Sequence, residues 1–284
     1  MEMNILLLVA PLPALMGSLF LMHTADVGSW VWRQQAVVSF FCLGACGFTL
    51  FKPREPFSEK THLGFVLVAL TLLVIPCLGS GEAPRRWIEL TGFRLYVASA
   101  ILPAALFFLD SLQRRRSSSA MRVAFLYVGM AAVLAFQPDA PQVMAFSTAA
   151  GLFFLMGSVS KTIKTTVIAG LAACVLWAWH QPDPLEPIPH VEGVLDLAWG
   201  LGPLIFIAAI LGLALPILVL LTAGVAGYLP GLGIVAVYYL VICLLAWSTQ
   251  LTPMPWLGFG AGPILGYFAI VYVGMRSKSC KVDT

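Results

Sequence analysis

The sequence predicts an all-α protein, a polytopic membrane helix bundle of about ten transmembrane helices with both termini in the cytoplasm. Three observations carry this. Hydrophobic residues make up 60% of the 284 and charged residues only 10%, where a soluble chain carries about 25% charged. Mean hydropathy is +0.93, and apolar stretches near the spanning length of about 20 residues recur from end to end. Twelve of the sixteen Lys and Arg residues fall in alternate connections, as cytoplasmic loops require. No soluble domain boundary is visible, so residues 1–284 read as a single integral domain.

The spans run roughly 4–22, 33–51, 63–79, 93–110, 121–137, 142–158, 163–180, 194–222, 230–249 and 258–275. The first lacks the basic start of a signal peptide, and Leu21-Met22-His23 is a poor cleavage site, so it reads as a spanning helix. Pro76, Pro103 and Pro216 fall inside spans, where neighbouring helices satisfy the carbonyls that proline frees. With the N-terminus inside, Lys52, Arg54, Lys60, Arg114, Arg115, Arg116, Arg122, Lys161, Lys164, Arg276, Lys278 and Lys281 share the cytoplasmic side. Only Arg33, Arg85, Arg86 and Arg94 remain outside. Asp110, at a cytoplasmic helix end, is placed to pair with the Arg114–Arg116 cluster. The six cysteines lie in apolar runs or the basic tail and read as free thiols. Trp30, Trp32, Trp87, Trp177, Trp179, Trp247 and Trp256 read as interfacial belt residues, with Tyr228.

The longest polar interruption of the C-terminal half is His180 to Gly193, which faces out in this topology. Its four prolines, Pro182, Pro184, Pro187 and Pro189, forbid a regular helix or central strand, because each removes a donor and fixes φ. Two histidines, His180 and His190, and three carboxylates, Asp183, Glu186 and Glu192, crowd it. Glu192 reads either as an N-terminal cap of the following helix, favoured by the helix dipole, or as a catalytic carboxylate. Asp196 lies one turn on, as a second acid or a residue paired with a neighbour. Asp183 and Glu186 with His180 or His190 offer the oxygen-rich donors that suit Mg²⁺ or Mn²⁺. Arg85 and Arg86 read either as interfacial anchors, paired with Glu82 or Glu89, or as a clamp for a phosphate-bearing lipid, since guanidinium forks match phosphate oxygens. Gln137 and Asp139 order the turn before residue 142. The stretch 252–262, broken by Pro253 and Pro255, reads as an outer turn or re-entrant segment.

Five stretches, in order, resemble the SEDS family of ten-helix peptidoglycan polymerases (FtsW, RodA and relatives). Gly17 to Ala25 followed by Trp32-Arg33-Gln34-Gln35 is similar to the family's first helix end and Arg-Gln start of the second. Ala83-Pro84-Arg85-Arg86-Trp87-Ile88 leading to Gly92-Phe93 resembles Gly-Ala-Arg-Arg-Trp-Ile before Gly-Phe. Gln137-Pro138-Asp139 matches the family's Gln-Pro-Asp. Pro187-Ile188-Pro189-His190-Val191-Glu192-Gly193 aligns with Pro-Glu-x-His-Thr-Asp-Phe. Thr252 to Gly262 is similar to Ile-Pro-Leu-Pro-Phe-Leu-Ser-Tyr-Gly-Gly-Ser.

The resemblance implies a glycosyltransferase that polymerises an undecaprenyl-pyrophosphate-linked precursor (Lipid II) at the outer face of a bacterial inner membrane. It implies Glu192 as the base that deprotonates the acceptor hydroxyl, with His190 beside it and Arg85 and Arg86 near the pyrophosphate. The partners implied are the lipid-linked glycan and a single-span penicillin-binding-protein-like subunit, not nucleic acid. The chain departs from the family in four places, one of them Ala140-Pro141-Gln142, which stands where the family has Leu-Gly-Thr. The loop before His190 is short, Ser99 and Leu102 replace a buried Glu and Lys, and Gly258-Phe259-Gly260-Ala261-Gly262 loses the hydroxyls of the last motif. These departures leave open a scaffold subunit that docks the single-span partner, in which Glu192 is dispensable. A third reading is a transporter, for which Ser99 and Asp196 would matter more than the loop.

Overall fold

The computed structural model describes residues 2–51, 57–78, 85–90, 93–115, 119–183 and 185–276. Lys52, Arg54, Glu82, Arg116, Lys278, Lys281, Pro184, Cys280 and residues 83, 84, 91 and 92 of the second motif lie outside them. The chain is a helical bundle: α1 Glu2–Val9, α2 Leu12–Thr24, α3 Ser29–Thr49, α4 Glu59–Val74, α5 Val97–Arg114, α6 Ala120–Phe136, α7 Ala140–Met156, α8 Lys161–Trp179, α9 Val194–Leu201, α10 Pro203–Val225, α11 Gly231–Thr249 and α12 Ala261–Arg276. Among the described residues six helical segments are long and apolar enough to cross a membrane: Glu2–Thr24, Glu59–Leu78, Val97–Arg114, Lys161–Trp179, Pro203–Val225 and Gly231–Thr249. Ala120–Phe136, Ala140–Met156 and Ala261–Arg276 are apolar but shorter.

Each span break has a local cause. Pro11 and Pro13 supply no N–H, so the first span bends between α1 and α2. Gly202, at φ +125°, and Pro203 split the expected 194–222 helix into α9 and α10. Ser58 caps α4 by accepting the Thr61 N–H at 3.1 Å, and Ser160 caps α8 through Ile163 at 3.4 Å.

The expected helix over 93–110 starts four residues late. Two short segments form an antiparallel ribbon, β1 Trp87–Leu90 and β2 Phe93–Tyr96, with Trp87 opposite Tyr96 and Glu89 opposite Arg94. Cross-strand pairing of Trp87 with Tyr96 and Ile88 with Leu95 outweighs helix extension here. On the ribbon's exposed face Glu89 pairs with Arg94 at 2.8 Å.

Helix α5 is the centre of the bundle, packed by α12, α4, α11, α6 and α7. Its contact with α12 is close because Gly262 and Gly266 lack side chains. A Cβ on Gly262 would fall 2.2 Å from Ser99 Oγ, and one on Gly266 would fall 2.2 Å from the Ser99 carbonyl oxygen. Small residues four apart let backbones approach in the way membrane helices pack. The outer helix faces carry large apolar side chains such as Phe40 (73% exposed), Phe125 (79%) and Met156 (87%), a surface suited to lipid rather than water.

Basic groups collect at one end of this bundle. Asp110 takes Arg114 Nε at 2.9–3.0 Å, Arg115 donates to the Phe57 carbonyl at 3.2 Å, and Lys164 donates to the Leu155 carbonyl at 2.9 Å. The α10–α11 connection joins the same end, since Gly231 lies against Asp110.

Replacing Gly266 with Val should lower thermal stability in detergent by about 1–3 kcal/mol through overpacking against α5. Gly129→Ala, where a Cβ meets nothing within 4 Å, should leave the melting temperature level or slightly higher.

Candidate functional site

The polar end opposite the basic one is built from chain segments far apart in sequence. Arg86 precedes β1, and its carbonyl accepts the Val97 N–H at 3.4 Å, which extends the ribbon to the start of α5. Its guanidinium is buried, with the side chain 3% exposed, and Nη2 donates to Asp183 Oδ2 at 2.7 Å and to the Pro138 carbonyl. Asp139, fully buried at the α6–α7 corner, accepts the Tyr96 hydroxyl at 2.6 Å through Oδ2. A charge this deep costs several kcal/mol unless it is paired, and here one guanidinium faces two carboxylates.

The electrostatics follow from burial and proximity. Burial works against the Arg86 charge, yet Asp139, Tyr96 and Asp183 outweigh it and hold its pKa above the usual value. Burial pushes the Asp139 carboxyl up, against the pull of Arg86 and the Tyr96 hydrogen bond. Burial and the neighbouring Asp139 raise the Tyr96 hydroxyl well above its ordinary range.

The 181–193 segment crosses this centre as a strap. Gln181 Nε2 donates to the Ala135 carbonyl at 2.9 Å, Asp183 reaches Arg86, and the Ile188 carbonyl accepts the N–H groups of Val191, Glu192 and Gly193 at 2.9–3.3 Å. Glu192 turns back on the strap, its Oε2 accepting the Ile188 N–H at 2.9 Å. Helix α9 begins after Gly193 without a side-chain cap. Burial raises the Glu192 pKa, and the Asp183 charge adds to the rise, while hydrogen bonds from backbone N–H groups and the Arg86 charge oppose it.

Beyond the strap lies the turn between α11 and α12. The Phe259 N–H donates to the His190 carbonyl at 2.9 Å and the Met254 N–H to the Val191 carbonyl at 3.2 Å. Gly258 makes this approach possible, because a Cβ there would stand 2.1 Å from the Val191 oxygen. Gln35 of α3 holds the turn from the other side. Its Nε2 donates to Ser18 Oγ at 2.8 Å and the Gly258 carbonyl at 3.2 Å, while its Oε1 accepts the Gly260 N–H at 3.0 Å. Trp256, expected at the membrane interface, is instead fully buried against Tyr239 and Tyr267 at centroid distances of 4.7 and 5.3 Å. Its φ of +58° is a strained conformation for a bulky residue, and that packing holds it.

Of the residues singled out from the sequence, Arg86, Asp183, Glu186 and Glu192 line one small cleft with Tyr96 and Gln250, of about 20 Å³, room for about one water. Arg85 is exposed and points elsewhere, donating to the Cys77 carbonyl at 3.2 Å, so the two arginines do not form one fork. The His190 ring rests 6.4 Å from that of Phe259, and burial lowers its pKa. Asp196, on the exposed face of α9, accepts Gln250 Nε2 at 2.5 Å. Ser99 is buried against α12, its hydroxyl bonded to the Tyr96 carbonyl at 3.1 Å.

Among the described residues no three His, Cys, Asp or Glu side chains are placed to hold a metal ion. Asp183 is engaged by Arg86, so the described donors of the strap are not arranged as a Mg²⁺ or Mn²⁺ site. Tyr96 and the full burial of Asp139 escaped sequence reasoning. The available signal was a carboxylate immediately ahead of an apolar helix with no lysine or arginine within ten residues on either side. No protein-family model matches the chain, and no curated protein matches it.

Arg86→Ala should cost about 3–5 kcal/mol in unfolding free energy, because it strands buried carboxylates. Arg94→Ala, which breaks an exposed pair, should cost about 0–1 kcal/mol. Chemical denaturation of both variants in the same detergent checks the contrast. The raised Glu192 carboxyl makes its own contribution to pH dependence. The folded state holds that proton more tightly than the unfolded one, so stability is greater in acid and falls as pH rises from the ordinary carboxylate range through the raised value. The difference in melting temperature between wild type and Glu192→Gln, followed from acid to neutral pH, should reveal this slope and its loss in the variant.

Proposed function

We propose that this chain is a compact SEDS-type membrane protein of ten crossings, with both termini cytoplasmic, acting on polyprenyl-pyrophosphate-linked glycan at the outer face of a bacterial inner membrane. One observation supports the reading above all. The five stretches that carry the family resemblance, scattered from Ser18 to Gly260, meet at one end of the bundle through Gln35, Arg86, Asp139, His190 and Gly258. That end lies opposite the Asp110–Arg114 cluster, as an outward-facing site requires.

In this reading Glu192 accepts the proton of an acceptor sugar hydroxyl as its oxygen bonds to the donor's anomeric carbon. The bond from that carbon to the pyrophosphate oxygen breaks, with inversion, and polyprenyl pyrophosphate departs with the bonding electrons. The raised Glu192 pKa brings the carboxylate nearer to the proton it must take, and Arg86 is the cation available to the departing charge. A cleft of about 20 Å³ describes a closed state, and sugar entry requires the strap and the 251–260 turn to part.

The second reading is a non-catalytic subunit that docks a single-span partner. It is favoured by the same closure, by the Glu192 carboxylate bonded to its own strap, and by Arg86 already neutralised by Asp183.

Polymerisation of fluorescent Lipid II in proteoliposomes separates the two, using wild type and Glu192→Gln, each with and without a single-span penicillin-binding-protein-like partner. Polymer from wild type and a loss of about 10²-fold or more in the variant supports catalysis. Wild type that stays silent with the partner present overturns it and leaves the scaffold.

A further inference from the structure

Arg86 uses only part of its donor set in the closed site. Nη2 serves Asp183 and the Pro138 carbonyl, while the buried Nε has no hydrogen-bond partner. A guanidinium is built to present two parallel N–H groups to one planar or tetrahedral anion, and Asp183 engages a single edge. The carboxylate therefore occupies the place of an anion without filling it.

The element that delivers Asp183 is weakly tied. Residues 185–189 are exposed, and Pro182, Pro187 and Pro189 contribute no N–H to any ladder. On the N-terminal side the described side-chain anchors are Gln181 to the Ala135 carbonyl and Asp183 to Arg86. Asp139 differs in every respect. It is fully buried, held by Tyr96 on rigid elements, and stays beside Arg86 whatever the strap does.

We propose that Asp183 is an internal competitor for the Arg86 anion site and sets the charge that an incoming ligand must carry. The inference rests on the reading that this cleft receives the phosphate end of a lipid-linked donor. A singly charged anion gains nothing by replacing Asp183, since it exchanges one carboxylate-like partner for another and forfeits the strap's own contacts. A pyrophosphate brings more charge and enough oxygens for both Nε and Nη2. Lifting the strap also carries Asp183 and Glu186 away from the cleft, which leaves Asp139 and the Glu192 end as the carboxylates nearest the newcomer. Asp183 thus sets a threshold that pyrophosphate, with its greater charge, clears at a lower concentration than monophosphate.

The test is binding of inorganic pyrophosphate and inorganic phosphate to the purified full chain in nanodiscs, by calorimetry, for wild type, Asp183→Asn and Glu89→Gln. Asp183→Asn keeps the side-chain shape and removes the competing charge. Glu89, exposed on the ribbon and paired with Arg94, controls for bulk charge. Wild type is expected to prefer pyrophosphate. Asp183→Asn should tighten pyrophosphate and phosphate by about the same factor, roughly tenfold, as removal of a shared closed-state population requires. Glu89→Gln should match wild type. If wild type binds pyrophosphate and Asp183→Asn binds it no better, or if Glu89→Gln gains as much, the competitor role is overturned while the anion site stands. If neither wild type nor Asp183→Asn binds either anion, with both melting cooperatively, the anion site itself fails and takes the proposal with it.

Discussion

A guanidinium withdrawn from water must be matched by negative charge, and that requirement at Arg86 organises the polar end of this protein. The side chain is 3% exposed, and burial alone would strip it of its charge or expel it. Asp139 and Asp183 meet the need from two directions, with the Tyr96 hydroxyl tying Asp139 back to the ribbon. Three pieces of chain are fixed by this one centre: the 87–96 ribbon, the α6–α7 corner and the strap. A net favourable contribution from such a buried cluster is not guaranteed. Its consequence is geometric, because the strap is seated where Glu192 faces the same cleft as Arg86.

Lipid as solvent imposes the second constraint. Without water, a backbone group inside the membrane has only helix partners, so irregular backbone is admitted where protein covers it. The α11–α12 turn obeys this rule. Its N–H and carbonyl groups are taken by His190, Val191 and Gln35, and its Trp256 is packed among tyrosines. The same rule explains why Gln35, an amide otherwise costly in a helix interior, is buried on α3 with its amide nitrogen and oxygen both engaged. The proline and glycine of the turn thus become a structured floor beside the strap.

Helix identity was legible in residue order because hydropathy alone distinguishes apolar helices from their connections. The expected spans coincide with α-helical segments apart from local breaks, and Asp110 pairs with Arg114 as its spacing implies. The ribbon was not legible, since Phe93-Arg94-Leu95-Tyr96 reads equally well as the first turn of a helix. Its strand character depends on Trp87 to Leu90 lying alongside. The two arginines show the same limit. Adjacent residues at the edge of a strand point to opposite sides, so Arg85 reaches Cys77 while Arg86 turns inward.

By itself the sequence determined that this is an apolar helical chain, roughly where its helices lie, and which few polar residues are available for chemistry. These follow from local hydropathy, proline and glycine, which act over a turn or two of chain. Only the tertiary structure decided that Asp139, 53 residues from Arg86, shares its electrostatic centre, that Asp183 closes the cleft, and that Gln35 supports the turn 223 residues later. Desolvation and charge matching depend on distance in space, and the packing of α5, α6, α7 and α12 alone brings those groups within reach.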